Sequence, residues 1–241
     1  MENWQHYSPD PNDQQLVAMR REVVRHARTN RLIDDRVAYL CALAKGKSVL
    51  DIGVVEHTSA AANHPGWLHG NLKRQAASCL GVDVLEKEVM QLRERGFNVI
   101  CADLTREPLP QKFEVIIAGE VLEHLDGPGR FMASCAAMLA EGGRLVITVP
   151  NPWYINVMIK NIFQRTTFVD SSDHVAWYEA STLYELGQRH GLRLERCGAI
   201  ATRQPKTLKA KLFFGLCPAL IRLGLSTELF GKSIIYEFVR C

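Results

Sequence analysis

Two short stretches carry the first chemical signal. Val49-Leu50-Asp51-Ile52-Gly53 is an apolar run closing on an acid and a glycine, and Leu80-Gly81-Val82-Asp83 is a second apolar run closing on an acid. Successive strands that end in a carboxylate are how an open α/β sheet presents its carboxyl edge to a nucleoside-like ligand. Asp83, at the tip of the second strand, can accept two hydrogen bonds from ribose hydroxyls. Gly53 turns the chain off the first strand where a side chain would collide with that ligand.

The elements that must position these tips can be read along the chain. Residues 1–12 are polar, with Pro9 and Pro11, and read as an arm without a core of its own. Asp13 to Ala44 has helical periodicity, with Leu16, Met19 and Val23 on one stripe and Ile33, Val37, Leu40 and Cys41 on another. A basic face from Arg20 to Arg31 lies between them, the pattern of a solvated helix face. Strands are expected at Lys47–Ile52, Cys79–Val82, Phe97–Cys101, Phe113–Ala118, Arg144–Val149, Leu192–Ile200 and Ser233–Val239, mostly separated by helical segments. That alternation predicts an α/β fold, a doubly wound, mostly parallel sheet with helices on both faces. Two aromatic-rich segments, at about 151–175 and 208–229, interrupt the rhythm. They suggest covers over the carboxyl edge, or for the second a homodimer face or a peripheral membrane contact.

Composition narrows the function classes. The 241 residues carry 29 basic against 26 acidic side chains, a formal charge of +3. So near a balance argues against a dedicated nucleic-acid binder, whose footprint is a basic stripe. The seven cysteines are widely spaced with no CxxC pair, which argues against a disulfide framework or a structural zinc site and fits buried thiols in a reducing, cytoplasmic compartment. No metal site is expected, because the acids Asp51, Asp83, Asp103 and Glu120 form no compact ligand set. The start of the chain lacks the pattern of a signal peptide, and no apolar run is long enough for a transmembrane helix.

Together with Cys101-Ala102-Asp103-Leu104, the segment Phe113–Leu125 and the segment Leu139–Pro150, these runs resemble the class I, seven-stranded, S-adenosylmethionine-dependent methyltransferases. The likeness covers roughly residues 45–200. It implies a sheet of seven strands in the order 3-2-1-4-5-7-6, with residues 1–44 as an N-terminal arm and helices and 45–241 as the methyltransferase domain. It implies that Asp51 and Gly53 approach the methionine moiety of S-adenosylmethionine, that Asp83 binds its ribose, that Asp103 and Leu104 flank adenine, and that Gly119 and Glu120 line the floor near the methyl group. It also implies that Glu123-His124-Leu125 begins the helix after the fourth strand. One feature departs from the pattern: Gly53 is followed by Val54-Val55-Glu56-His57 in place of a GxGxG loop, so the chain must take a wider path there.

Methyl transfer to oxygen or nitrogen requires alignment and a sink for the acceptor's proton. His174 and His124 are the candidate catalytic bases, with His57 a further imidazole in the atypical loop. The expected acceptor is a hydroxyl or amine of a small molecule or glycan. RNA or protein methylation, and a non-catalytic binding protein on the same fold, remain the alternatives.

Overall fold

Asp13 starts the first helix by accepting the backbone N–H groups of Gln15 and Leu16 at 2.8 and 3.2 Å, satisfying donors that the first turn leaves free. The computed structural model describes residues 8–56, 58–165, 171–201 and 208–241. His57 and part of the first aromatic-rich segment lie outside the described residues. α1 (Gln14–Ala27) leads directly into β1 (Arg28–Ile33), and α2 (Arg36–Ala44) follows. β2 (Ser48–Ile52), α3 (Leu68–Gln75), β3 (Ser78–Asp83), α4 (Glu86–Glu94) and β4 (Val99–Cys101) form one half of the sheet with its helices. β5 (Phe113–Gly119), α5 (Pro128–Met138), β6 (Leu139–Pro150), α6 (Ile155–Gln164), α7 (Ala180–Gln188), β7 (Leu192–Ala201), α8 (Leu208–Arg222) and β8 (Gly231–Arg240) complete the chain.

The topology corrects the expected seven-stranded sheet in the order 3-2-1-4-5-7-6. The sheet has eight strands, ordered β1-β7-β8-β6-β5-β2-β3-β4. Part of the segment read as two helices with a continuous basic face is in fact β1, which pairs parallel with β7 through Arg28 opposite Cys197 and Leu32 opposite Ala199. An edge strand hydrogen-bonds on one side only and needs no continuous apolar run, so its polar residues concealed it. β8 runs antiparallel between β6 and β7, while the other pairings are parallel.

Two apolar layers sandwich the sheet, as doubly wound folds require. Phe131, Met132, Cys135 and Met138 of α5, with Leu183 and Tyr184 of α7 and Val24 of α1, pack into one cluster with Leu50, Ile116 and Leu145. Leu40 and Ala44 of α2 and Leu68 and Leu72 of α3 pack into a second cluster with Val49, Val115, Ile117 and Val146. A buried ionic group ties α2 to the sheet: Glu237 of β8, fully buried, accepts from the Tyr39 hydroxyl and pairs with Arg144, which also reaches Glu195 at 2.8 Å. Among the described residues, no helix is long and apolar enough to cross a membrane.

Candidate functional site

β2, β3 and β5 run parallel, so Asp51, Asp83 and Gly119 fall at one edge of the sheet. A cavity of about 940 Å³ opens there, and Asp51, Gly53, Asp83, Asp103, Leu104, Gly119, Glu120, His124 and His174 all border it. The fold thus brings to one cleft all nine residues expected at the site from the sequence.

The wide loop after β2 is held by side chains. Gly53 has φ +81° and donates its N–H to the Val82 carbonyl at 2.8 Å. A Cβ on it would lie 2.5 Å from Cγ2 of Val121, so both backbone and space demand glycine. Val54 and Val55 are buried beside Trp67, Val89, Leu92 and Val99. The Val54 carbonyl accepts from the Trp67 indole at 2.8 Å, and the Val55 N–H donates to Oδ2 of Asp83 at 3.0 Å. The other oxygen of Asp83 accepts the Leu85 N–H at 3.1 Å. Each carboxylate oxygen keeps acceptor capacity for a ribose hydroxyl. Asp51 is buried and pairs through Oδ2 with Nδ1 of His69 at 3.1 Å, a contact that sequence reading did not anticipate.

Asp103 closes its own turn, accepting from the N–H and hydroxyl of Thr105 at 2.9 and 2.6 Å, and these bonds hold its carboxyl below the usual carboxylate range. Leu104 beside it is buried. On the opposite wall Glu120 takes the left-handed conformation at φ +57°, and its carboxylate accepts the Ser233 hydroxyl at 2.6 Å. The Glu123-His124-Leu125 stretch does not begin a helix as expected. It forms a single 3-10 turn, Leu122–His124, and α5 starts only at Pro128.

Unpartnered polar groups gather around this wall. Arg36, at the start of α2, places a guanidinium nitrogen 2.2 Å from where a Cβ on Gly119 would stand, and its buried Nε has no partner among the described residues. Glu123 is 1 % exposed, and neither carboxylate oxygen has a partner among the described residues. Burial pushes its carboxyl up to about 7, with Glu120 and Asp173 adding to the rise and Arg36 opposing it. The His174 ring lies edge-on to that of His124, with centroids 4.7 Å apart. Burial and the charge of His124 hold His174 below the ordinary imidazole value. Nδ1 of His124 is 3.2 Å from Asp173. Glu123, His124 and His174 each bring one donor atom to within 4.8 Å of the others, a spacing that suits a cation as well as a shared proton. Neither the strand-tip acids nor the cysteine spacing, the features weighed for a metal site in the sequence, points to this cluster.

Arg36 is a candidate that no motif in the sequence pointed to, and Glu123 stood out there only as part of the Glu123-His124-Leu125 triplet, not as a buried acid. Arg36 closely follows the basic run and borders the cavity, which Arg20, Arg21, Arg25 and Arg28 do not. Its signal would have been its position at the first residue of a helix directly before the first central strand.

The model of a methyltransferase domain family matches residues 24–196. The chain belongs to that family. Its relatives include a ubiquinone biosynthesis O-methyltransferase of Coxiella burnetii, 27% identical over 161 residues. That match takes in 58% of this chain and 64% of the relative, so the chain spans less than two thirds of that enzyme's length. Among solved structures, a SAM-dependent methyltransferase from Archaeoglobus fulgidus superposes with a TM-score of 0.57 at 19% identity, covering 84% of this chain and 90% of its own. Magnesium protoporphyrin IX methyltransferase from Synechocystis, solved with bound SAH, gives 0.55 at 18% identity, covering 99% of this chain and 93% of its own. At such identities these structures establish a shared fold.

Proposed function

We propose that this chain transfers a methyl group from S-adenosylmethionine to a hydroxyl or amine of a small-molecule acceptor. The observation that carries the reading is the single cavity at the carboxyl edge, bordered by all nine nominated residues and by Arg36. The residues present suit the cofactor. Gly53 and Gly119 leave room where a Cβ would intrude, and the buried Arg36 Nε is an unsatisfied cationic donor that suits a carboxylate. The names of the relatives, an O-methyltransferase of ubiquinone biosynthesis and a protoporphyrin methyltransferase, support a small-molecule acceptor.

In this reading Arg36 holds the methionine carboxylate, Asp51 and Gly53 shape the path around the methionine moiety, and Asp83 accepts from the ribose hydroxyls. Leu104 supplies an apolar face to adenine, with Asp103 fixing the turn that carries it. Gly119 and Glu120 form the floor, Glu120 being steadied by Ser233. When bound, the cofactor supplies an electrophilic methyl on a sulfonium, and the protein's task is alignment and proton removal. His174 is the proton acceptor. Its lowered pKa leaves the ring neutral at pH 7 and able to take a proton, and His124, anchored by Asp173, stands beside it.

Labelled S-adenosylmethionine offered with phenolic, catecholic and amine acceptors tests the proposal. Label should enter a small molecule, whereas label in RNA or protein would overturn the acceptor class. His174→Ala should lower kcat by about 10²-fold or more while leaving S-adenosylhomocysteine affinity unchanged. The wild-type kcat should fall on the acid side, with a midpoint below the ordinary imidazole value. A joint loss of cofactor affinity and melting temperature in His174→Ala would instead mark His174 as a packing residue.

A further inference from the structure

His69, in the first turn of α3, is a buried titratable side chain to which the reaction above gives no role. Its Nδ1 lies 3.1 Å from Oδ2 of Asp51, and its Nε2 is buried without a partner among the described residues. The ring is enclosed by aromatic side chains and by the sheet. Its centroid is 5.3 Å from that of Trp67 and 6.2 Å from that of Phe97, and a Cβ on Gly81 of β3 would stand 2.8 Å from its Cε1. A side chain at position 81 would displace the imidazole, so the glycine is what lets the ring lie against the strand. His69 and Asp51 both border the cavity at the carboxyl edge.

The hydrogen-bond pattern assigns the tautomer. A carboxylate only accepts, so the proton of the contact sits on Nδ1 of His69. A second proton, on Nε2, would be buried with no acceptor among the described residues, which disfavours the imidazolium. The neutral ring therefore donates one bond to Asp51 and leaves the carboxylate its negative charge. Arg36 borders the same cavity, its buried Nε without a partner, and no ion pair joins it to Asp51 among the described residues. Asp51 pairs with Ile117 of β5, two residues before Gly119, beside which the Arg36 guanidinium lies. Opposite charges on one cavity wall that are not spent on each other suit a zwitterion, one end to each.

We propose that His69 is a positioning residue for recognition of the cofactor's ammonium group. By holding Oδ2 it fixes the rotamer of Asp51 and leaves Oδ1 to accept from the ammonium of the methionine moiety, while Arg36 takes the carboxylate. The inference rests on the assignment of this cavity to S-adenosylmethionine. It also accounts for how the wide loop after Gly53 works without further glycines. Val54 and Val55 do not allow the close backbone approach of a GxGxG turn, and a carboxylate locked by a neutral donor supplies a fixed contact in its place. Without that donor Asp51 would be free to turn toward Arg36, and both ends of the recognition site would be weakened together.

The test is calorimetric titration of the full chain with S-adenosylhomocysteine and with 5′-methylthioadenosine, which keeps the adenosine and the thioether but has no amino-acid end. In His69→Gln the amide reaches the place of Nε2, not of Nδ1, and in His69→Leu no donor is left. Both variants should weaken S-adenosylhomocysteine by about tenfold or more and 5′-methylthioadenosine by less than about threefold. The two ligands are compared within one folded variant, so a general loss of stability does not mimic the result, and either variant suffices if the other does not fold. His69→Asn, whose amide nitrogen can take the place of Nδ1, should stay within about threefold of the wild type for both ligands. An equal loss of both ligands would make His69 a packing residue and overturn the proposal. So would unchanged S-adenosylhomocysteine affinity in His69→Gln and His69→Leu, or a loss in His69→Asn as deep as in His69→Gln. A wild type that binds neither ligand would instead sink the cofactor assignment itself.

Discussion

Replacing Gly53 with alanine probes the loop that departs most from a glycine-rich cofactor turn. Two costs can be separated. At φ +81° an alanine sits where L-residues are strained, for about 1–2 kcal/mol. The new methyl would also stand 2.5 Å from Cγ2 of Val121, an overlap that costs about 1–3 kcal/mol unless Val121 moves. Val121 is β-branched with a single side-chain torsion, and it directly precedes the turn that carries Glu123 and His124, so the displacement would pass to the proton-handling wall. Gly53→Ala should therefore destabilise by about 2–5 kcal/mol in total. Adding Val121→Ala removes the clashing carbon. The next atom of Val121 stood 4.0 Å away, an ordinary contact, so only the backbone part should persist. Urea unfolding of the two single variants and the double variant gives the coupling, expected at about 1–3 kcal/mol in favour of the double. Additivity within about 0.5 kcal/mol would refute the packing argument and leave backbone strain as the whole reason for the glycine.

Two further predictions follow from buried ionisable groups. Glu123 has its carboxyl raised from 4.5 to about 7, so the folded state keeps a proton that the unfolded chain loses between those values. Stability from this group is thus present below pH 4.5, falls as pH rises, and is lost above pH 7, by roughly 2–4 kcal/mol in all. Glu123→Gln should flatten that slope in melting temperature against pH, and parallel profiles would contradict the assignment. Glu237 is fully buried between Tyr39 and Arg144. Glu237→Ala should cost about 2–3 kcal/mol, less than a fully enclosed pair, because Arg144 keeps Glu195 and is partly exposed. A loss below about 1 kcal/mol in urea unfolding would mean that the network contributes no more than an ordinary hydrogen bond.

The strand tips were legible because central parallel strands need uninterrupted apolar runs, and Asp51, Asp83 and Glu120 break those runs where the ligand edge begins. β1 was not, since Arg28 and its polar neighbours satisfy one neighbouring strand without a hydrophobic signature, and the count of strands erred for that reason. Arg36 was hidden differently. Its role depends on α2 bringing its guanidinium beside Gly119, a meeting that no local pattern encodes. The same holds for the pair of Asp51 with His69 and for the missing partners of Glu123, because burial and partnership are tertiary facts. His124 and His174 were named separately, while their edge-on contact and their approach to Glu123 emerged only when the segment before α7 folded back on the turn after β5.

The most direct test of the central claim is calorimetric titration of S-adenosylhomocysteine into the wild-type protein and into folded Arg36→Gln and Asp83→Ala variants. One site per chain is expected. Arg36→Gln should weaken it by about 10–100-fold, for the lost charge-assisted bonds to a carboxylate, and Asp83→Ala by about one to three orders of magnitude. Absence of binding to the wild type, or an unchanged dissociation constant in both variants, would contradict the assignment of this cavity as the cofactor cleft.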